Sequence, residues 1–365
     1  PLKPPWRSPA RGRILPRHKP STRPDVQPTI RDLARAADVS LATVDRVLNG
    51  RPGVRADTVA RVHDAIERIG FTRNASAAAL ARGRALRFAF LLPRSDEMFM
   101  AALRSRIDEA NRSLAPEMVQ IDLVHLDGDD PHLIAAQIAA LPTDGVDGVA
   151  VMAPEAPPTR DAILNLRARI PHVVSFVSGH GEMPEMPLVG IDNRAAGATA
   201  ARLMGRFLGG RPGAVLVVGE TMTLRSEIER RLGFDRVMQA DFGALRVLPT
   251  VETYNDSDRT ARILETAMAT RADLAGVYVL STEARLAVGA LAALRQARPH
   301  VVIAHERTGF TEAALRVGDV DAVIAQDPGH LVRSAVRRLR ASREGRAPIA
   351  SQEHIRIEVL LPDNL

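Results

Sequence analysis

The chain has no cysteine in its 365 residues, which excludes disulfides and thiolate-held metals and suits a cytoplasmic protein. No apolar run approaches the ~18 residues that a membrane-spanning helix needs. The amino-terminal stretch is rich in arginine and proline with no apolar core, so it does not read as a secretory signal, and the expected location is the cytoplasm. Catalytic signatures are missing too: the ten histidines are scattered, and no HExxH, Gly-x-Ser-x-Gly or Walker A pattern occurs. Gly209-Gly210 reads as a helix end. These gaps argue against an enzyme and for a chain needing no cofactor or metal.

What is present is an ample apolar fraction, 45%, in a chain long enough for two or three domains. Charge is unevenly spread. Residues 1–87 carry 18 Lys+Arg against 7 Asp+Glu, whereas the remainder carries 31 against 36. A basic head on a mildly acidic body is the electrostatic footprint of a nucleic-acid-binding module joined to something else. Residues 1–28 hold eight prolines, from Pro1 to Pro28, interspersed with Arg and Lys. They cannot bury enough apolar area to offset ordering entropy, so this stretch is predicted to be a disordered extension.

Helical periodicity starts at Thr29. Ile30, Leu33, Ala34 and Ala37 share one face, Thr29 is placed to cap that helix, and Asp32 sits in its first turn. Asp38-Val39-Ser40 forms a turn, and Ser40 can cap a second helix whose Val44, Val47 and Leu48 face inward. Leu41, Ala42, Asp45, Arg46 and Asn49 are left outward, and Asn49-Gly50 with Pro52-Gly53 ends the helix. A third helix from about Arg55 carries Val59, Val62, Ile66 and Ile69 and stops at Gly70. Two short helices around a tight turn form a helix-turn-helix over residues 29–73, whose second helix can enter the major groove. Arg46 can pair bidentately with guanine or hold a phosphate. Leu41 and Ala42 suit thymine methyl contact. Thr29, Ser40, Thr43 and Asn49 are phosphate-contacting or capping groups, and Arg55 joins the DNA-facing set.

Residues 74–86 read as a hinge: Asn74 can cap a helix over Ala75 to Arg82 that is mostly alanine, with Leu80 as its single large apolar residue. Alone it is too short to be stable in water, so it is expected to fold only against DNA or a partner copy. Beyond Arg87 apolar strand candidates alternate with helices: Phe88–Leu92, Val119–Val124, Gly148–Met152, His172–Val177, Leu188–Ile191, Ala214–Val218, Arg246–Thr250, Gly276–Leu280, Val301–Ala304 and Ala322–Ala325. Such alternation predicts α/β architecture with parallel sheets covered on both faces, and ten strands suit two lobes over residues 87–361 better than one sheet. Ligands in such folds sit at the carboxyl ends of strands.

Three stretches together, Thr43-Val-Asp-Arg-Val-Leu-Asn49, Arg73-Asn-Ala-Ser-Ala-Ala-Ala-Leu-Ala81 and Val189-Gly-Ile-Asp-Asn193 followed by Gly197, resemble the LacI/GalR family of bacterial transcription regulators. The resemblance spans residues 29–361 and is most specific in the head. It implies a body of the type I periplasmic-binding-protein kind, a homodimer, a pseudo-palindromic operator, and a small effector between the lobes, a sugar, polyol or sugar derivative. Leu80 then matches the family's minor-groove wedge, which kinks DNA, and Asn74 and Ala77 belong to the same DNA-contacting hinge. Asp45 departs from the family's usual serine, and is either a structural group or an acceptor for cytosine N4.

In the body, Arg230 with Gly233-Phe234 matches the family's Arg-x-x-Gly-aromatic, where the arginine grips effector hydroxyls or carboxylates. Tyr254, Gln326 and Asp327 fall where relatives place effector contacts. Ser95, Asp96 and Phe99 follow the first strand and can line the same cleft. Asp192-Asn193 reads as a turn and helix cap as readily as a ligand site. Ser281-Thr282-Glu283 replaces the family's frequent Asn-Asp pair, and Ser178-Gly179-His180 replaces an acidic residue. His305-Glu306 is a cleft pair or, for the histidine, a surface group. The expected function is an effector-controlled regulator, a repressor of a carbohydrate or polyol catabolic operon. The rival is a solute-binding protein with the same body, which would carry a signal peptide or lipobox cysteine in place of residues 1–83.

Overall fold

The computed structural model describes residues 28–48, 52–71, 84–180, 183, 186–297 and 300–365. The extension at 1–27, the hinge helix, and the candidates Asn49, Asn74, Ala77 and Leu80 lie outside the described residues. The chain divides into two compact units, Pro1–Asn74 and Ala75–Leu365.

In the first unit, α1 (Ile30–Ala37), α2 (Leu41–Leu48) and α3 (Ala56–Ile69) form the three-helix head. Thr29 caps α1 through a capping box: its Oγ1 accepts from the Asp32 N–H at 3.3 Å, and the Asp32 carboxylate accepts from the Thr29 N–H at 2.9 Å. Those bonds, with Arg35 beside them, hold the Asp32 carboxyl below its ordinary value. Asp38 ends α1 in the left-handed region, φ 51°, and Ser40 Oγ accepts from the Thr43 N–H at 3.1 Å to start α2. Leu33, Ala34, Ala37, Val44, Val62, Ala65 and Phe71 make the shared core. Ile30 was expected there but is 41% exposed. It opens the helix, ahead of Leu33, Ala34 and Ala37, which carry the buried face of α1.

The second unit alternates strand and helix. One sheet runs β2-β1-β3-β4-β5 and is wholly parallel: β1 (Leu86–Pro93), β2 (Val119–Leu126), β3 (Gly148–Val151), β4 (Val173–Phe176) and β5 (Leu188–Val189). Between them lie α4 (Met98–Leu114), α5 (Pro131–Ala139) and α6 (Pro157–Arg169). The other sheet contains β6 (Gly213–Gly219), β7 (Leu245–Glu252), β8 (Leu274–Val279), β9 (Val301–His305), β10 (Ala322–Ala325) and β11 (Glu358–Leu360), ordered β11-β10-β9-β8-β6-β7. Only β11 runs antiparallel to its neighbour in this sheet. Its helices are α7 (Asn193–Phe207), α8 (Arg225–Asp241), α9 (Ser257–Thr270), α10 (Arg285–Ala297) and α11 (Gly309–Val317).

Strand periodicity buries both faces. Phe88, Phe90 and Leu92 of β1 point into one apolar cluster while Ala89 and Leu91 point into another. In β6, Val215 and Val217 face one way and Ala214, Leu216 and Val218 the other.

The chain passes between the lobes three times. After β5, residues 190–192 lead to α7, which packs on α8, β9 and β10 of the second lobe. After β10, residues 326–327 lead back to α12 (Pro328–Arg343), which packs on α4, β3 and β4 of the first. The short α13 (Ala350–Glu353) follows α12, and the chain then returns to pair β11 with β10. Both of the first two passages end in an aspartate that caps the next helix. Asp192 accepts from the Ala195 N–H at 3.0 Å, and Asp327 from the Gly329 N–H at 2.7 Å.

Candidate functional site: the reading helix and the interlobe cleft

On the head, α2 presents Leu41, Ala42, Asp45 and Arg46 as exposed side chains and buries Val44 beneath them. The capping bond from Ser40 and its 2.9 Å hydroxyl contact with Thr43 Oγ1 fix where that surface begins. Arg55 is exposed at the start of α3, and Thr29 is exposed at the start of α1. The head's candidates therefore lie at helix starts and along one outward face of α2, where base edges and phosphates can be reached.

In the body, strand ends from both lobes meet at a cleft. Ser95 shapes the turn after β1: its Oγ accepts from the Glu97 N–H at 3.1 Å, and its carbonyl accepts from Arg104 at 2.7 Å. Glu97 is thereby set at the start of α4. Its Oε2 accepts from Thr282 Oγ1, just beyond β8 in the other lobe, at 3.0 Å. A second bridge joins Arg225 at the start of α8 to Glu155, beyond β3, at 2.9 Å.

The loop after β7 is stitched to the loop after β6. The Thr253 N–H donates to Gly219 O and the Tyr254 N–H to Glu220 O, both at 2.9 Å. Tyr254 and Asn255 turn back through left-handed geometry, φ 53° and 54°, a conformation asparagine tolerates better than tyrosine. That turn brings the Asn255 side chain to both Glu97 and Glu220. Burial raises the Glu97 carboxyl and the Glu283 charge adds to it, against hydrogen bonds from Thr282, Asn255 and Ser95. Glu220 is pushed up to about 7, first by burial, then by Glu97, Asp129 and Glu283. Glu227 behind it is also pushed up to about 7 by burial and Glu220, although backbone N–H groups of Glu220 and Thr221 donate to it.

Beneath the strand ends lies a buried polar network. Arg230 is 1% exposed and donates to Asn193 Oδ1, Leu280 O and Glu306 Oε1, each at 2.9 Å. Gln326 Nε2 donates to the same Glu306 oxygen at 3.0 Å. Arg230 and Glu306 thus join Asn193, just past the first passage between lobes, to Gln326 at the second. Glu306 holds a left-handed φ of 64°, a strained geometry kept by this network. Burial raises its carboxyl, and Arg230 opposes the rise. His305 beside it is fully buried, with Nε2 at 2.8 Å from Tyr278 OH. Burial, then Arg230, hold its imidazole well below the ordinary value, so it is neutral.

Two glycines place Arg230. A Cβ on Gly197 would lie 1.8 Å from Arg230 O, and one on Gly233 would lie 1.9 Å from Arg194 O. Helices α7 and α8 therefore touch backbone to backbone, which only glycine permits at those two positions.

The body's sequence-predicted residues separate into distinct environments. Arg230, His305 and Gln326 belong to the buried network, so neither a surface histidine nor an open arginine describes them. Ser95 shapes a cleft turn, and Asp96 is exposed. Phe99 is 1% exposed within the apolar core, because it points back from α4 onto β1. Tyr254 is 57% exposed with the Arg259 guanidinium 5.0 Å from its ring. Asp327 caps α12 and pairs with Arg333 at 3.4 Å, lining a basic surface groove with His330 and Arg337. Glu97, Glu220, Glu283 and Asn255 were not among the predicted site residues. The available signal was position, since each acidic residue stands one to four places beyond the end of a parallel strand.

Residues 88–347 match the model of the periplasmic binding protein domain, and residues 29–74 match that of bacterial regulatory proteins, lacI family. The chain belongs to the periplasmic binding protein domain family over most of its length, and its head matches the bacterial regulatory proteins of the lacI family. The maltose regulon regulatory protein MalI of Escherichia coli is 36% identical over 123 residues, 34% of this chain and 35% of that protein. Catabolite control protein A of Priestia megaterium is 41% identical over 81 residues, 22% of this chain and 24% of that protein. The chain thus spans about a third or less of the length of these two relatives. In fold, it is similar to GanP, a glucose-galactose binding protein from Geobacillus stearothermophilus, at TM-score 0.67 and 16% identity, over 77% of this chain and 99% of that one.

Proposed function

We propose that this LacI-family protein is an effector-controlled transcription regulator that reads DNA with α2 and senses a small molecule in the interlobe cleft. The observation that carries the reading is the exposed face of α2, with Leu41, Ala42, Asp45 and Arg46 outward on a capped helix over a closed core. Arg46 reads or clamps the duplex, and Leu41 and Ala42 meet thymine methyl groups. The protein works in the cytoplasm as a homodimer on a pseudo-palindromic operator. Leu80 of the hinge is the wedge that couples hinge folding to binding. It represses a carbohydrate or polyol catabolic operon, a reading supported by relatives named for a maltose regulon and for catabolite control. Among the described residues, no helix is long and apolar enough to cross a membrane.

Ligand control follows from the cleft. The Thr282–Glu97 and Arg225–Glu155 contacts tie one lobe to the other, and a ligand bound between the lobes acts on their orientation by competing with or reinforcing such ties. Effector and operator are then linked, and each alters the other's affinity by the same factor. Selection of bound duplexes from a random library tests the DNA reading. Recovery of two half-sites related by a dyad is expected, and salt-dependent binding with no sequence enrichment would defeat it. For Leu80→Ala, operator affinity drops markedly while effector binding stays intact.

A further inference from the structure

We propose that the interlobe cleft selects a ligand bearing a protonated amine, held between Glu97 of one lobe and Glu220 and Glu283 of the other. The inference rests on reading this cleft as the effector site, and it names the ligand's charge.

The carboxylates come from both sides. Glu97 follows β1, and Asp129 follows β2. Glu220 follows β6, and Glu283 follows β8. The loops meet where Thr282 Oγ1 donates to Glu97 at 3.0 Å; there the Glu283 charge raises the cost of ionising Glu97, and Glu220 responds to Glu97, Asp129 and Glu283 together. Drawing like charges together across a closing cleft is unfavourable unless a counter-charge sits between them.

Glu283 supplies an independent pointer to a ligand. Its residue is 8% exposed, and Oε2 is buried with no hydrogen-bond partner, while Oε1 accepts from the Arg285 N–H at 2.9 Å and lies 3.7 Å from Arg285 Nε. A buried carboxylate oxygen without a donor is costly, and the Glu283 charge is felt by the carboxyls of Glu97 and Glu220. An ammonium offers three donors and a positive charge, which is what such a site lacks.

Arg285 lies beside one oxygen of Glu283, and the other cations nearby are committed elsewhere. Arg230 pairs with Glu306 at 2.9 Å, and Arg225 pairs with both Glu155 and Glu229. A sugar acid or phosphate would therefore meet repulsion, and a neutral sugar would leave the negative charge unbalanced. A metal ion is a poorer occupant, because among the described residues no group of three His, Cys, Asp or Glu is arranged to hold one.

An amine bridging both lobes would also favour closure, since its attraction to Glu97 and to Glu220 with Glu283 grows as they approach. Cleft occupancy and lobe orientation are thereby coupled through charge.

The test uses the full chain at constant ionic strength and pH 7, with matched probes: D-glucosamine, D-glucose and D-glucuronate, and putrescine, 1,4-butanediol and succinate. Isothermal titration is expected to show an amine probe bound at least tenfold tighter than its neutral and anionic counterparts. Glu283→Gln should weaken that binding by roughly tenfold, the scale of one charge-assisted bond. Glu97→Gln, from the other lobe, should do the same and serves if the first variant does not fold. The proposal is overturned if a neutral or anionic probe binds as tightly, if amine binding is unchanged in the variants, or if no amine binds. A neutral sugar that alters operator affinity would overturn the amine assignment and leave the regulator reading standing. Amine binding with no effect on operator affinity would keep the assignment and remove the gating.

Discussion

The head and the cleft display their chemistry in opposite ways. The head's proposed DNA-facing residues on α2 are near neighbours in sequence, exposed on one helix, over a core that includes seven buried apolar side chains. The cleft gathers Glu97, Glu220, Glu283, Arg230 and Glu306 from separate strand ends and helices, and its polar groups are mostly buried. A surface site can change specificity without changing stability. In a buried one, every polar group is also a folding determinant, because its desolvation must be balanced by a partner.

Removing one member of the buried ion pair should break that contrast most sharply. Arg230→Ala leaves Glu306 and Asn193 without their donor and is expected to destabilise the body by about 3–5 kcal/mol, measured by urea unfolding. An unchanged midpoint would mean that the network is not what fastens the two passages between lobes. Gly197→Ala comes next. Its new methyl meets the Arg230 carbonyl at 1.8 Å, so α7 and α8 must separate, at a cost of about 3 kcal/mol. Wild-type stability in that variant would refute close helix contact as the device that positions Arg230.

The corresponding change in the head should spare folding. Arg46→Ala is expected to lose about 1–3 kcal/mol of operator affinity in gel-shift titrations, with the melting temperature held. Equal loss on every duplex sequence would assign Arg46 to phosphate instead of a base. A pH slope is also expected. Because Glu220 and Glu227 are raised to about 7 in the folded state, the fold retains protons that the unfolded chain releases above its ordinary carboxyl value. Stability should therefore fall as pH rises from about 4.5 to 7 and stay at the lower level above it. Glu220→Gln should flatten this slope in thermal melts, and an identical slope in the variant would assign it to other groups.

How much was legible beforehand follows the same division. The Thr29 cap with Asp32 in the first turn, the Ser40 cap and the inward Val44 are local signals, and all appear where the sequence placed them, the reciprocal Asp32 bond to Thr29 being added by the structure. The ten strands of the body were legible because burial on both faces leaves continuous apolar runs. Strand β11 was not, since three residues give no period. Helix α6 opens on Pro157-Pro158, which obscured its start. Arg230 was singled out because Arg230 with Gly233-Phe234 resembles the family's Arg-x-x-Gly-aromatic, and its burial in an ion pair was not legible there. Phe99 was misjudged because, six positions beyond the end of β1, it already lies on a helix that turns its ring into the core. Glu97 was passed over for its neighbours Ser95 and Asp96, since adjacent polar residues look alike until the turn direction is known.

The sequence by itself determined the head, its caps and its outward helix face, together with the α/β class of the body, because these depend on spacing within one segment. Only the tertiary structure decided that Arg230 is held by Glu306 and that the charges of Glu97 and Glu283 reach Glu220. Residues separated by up to about 190 positions share that cleft, and their charge states depend on burial and on neighbours that no local pattern encodes.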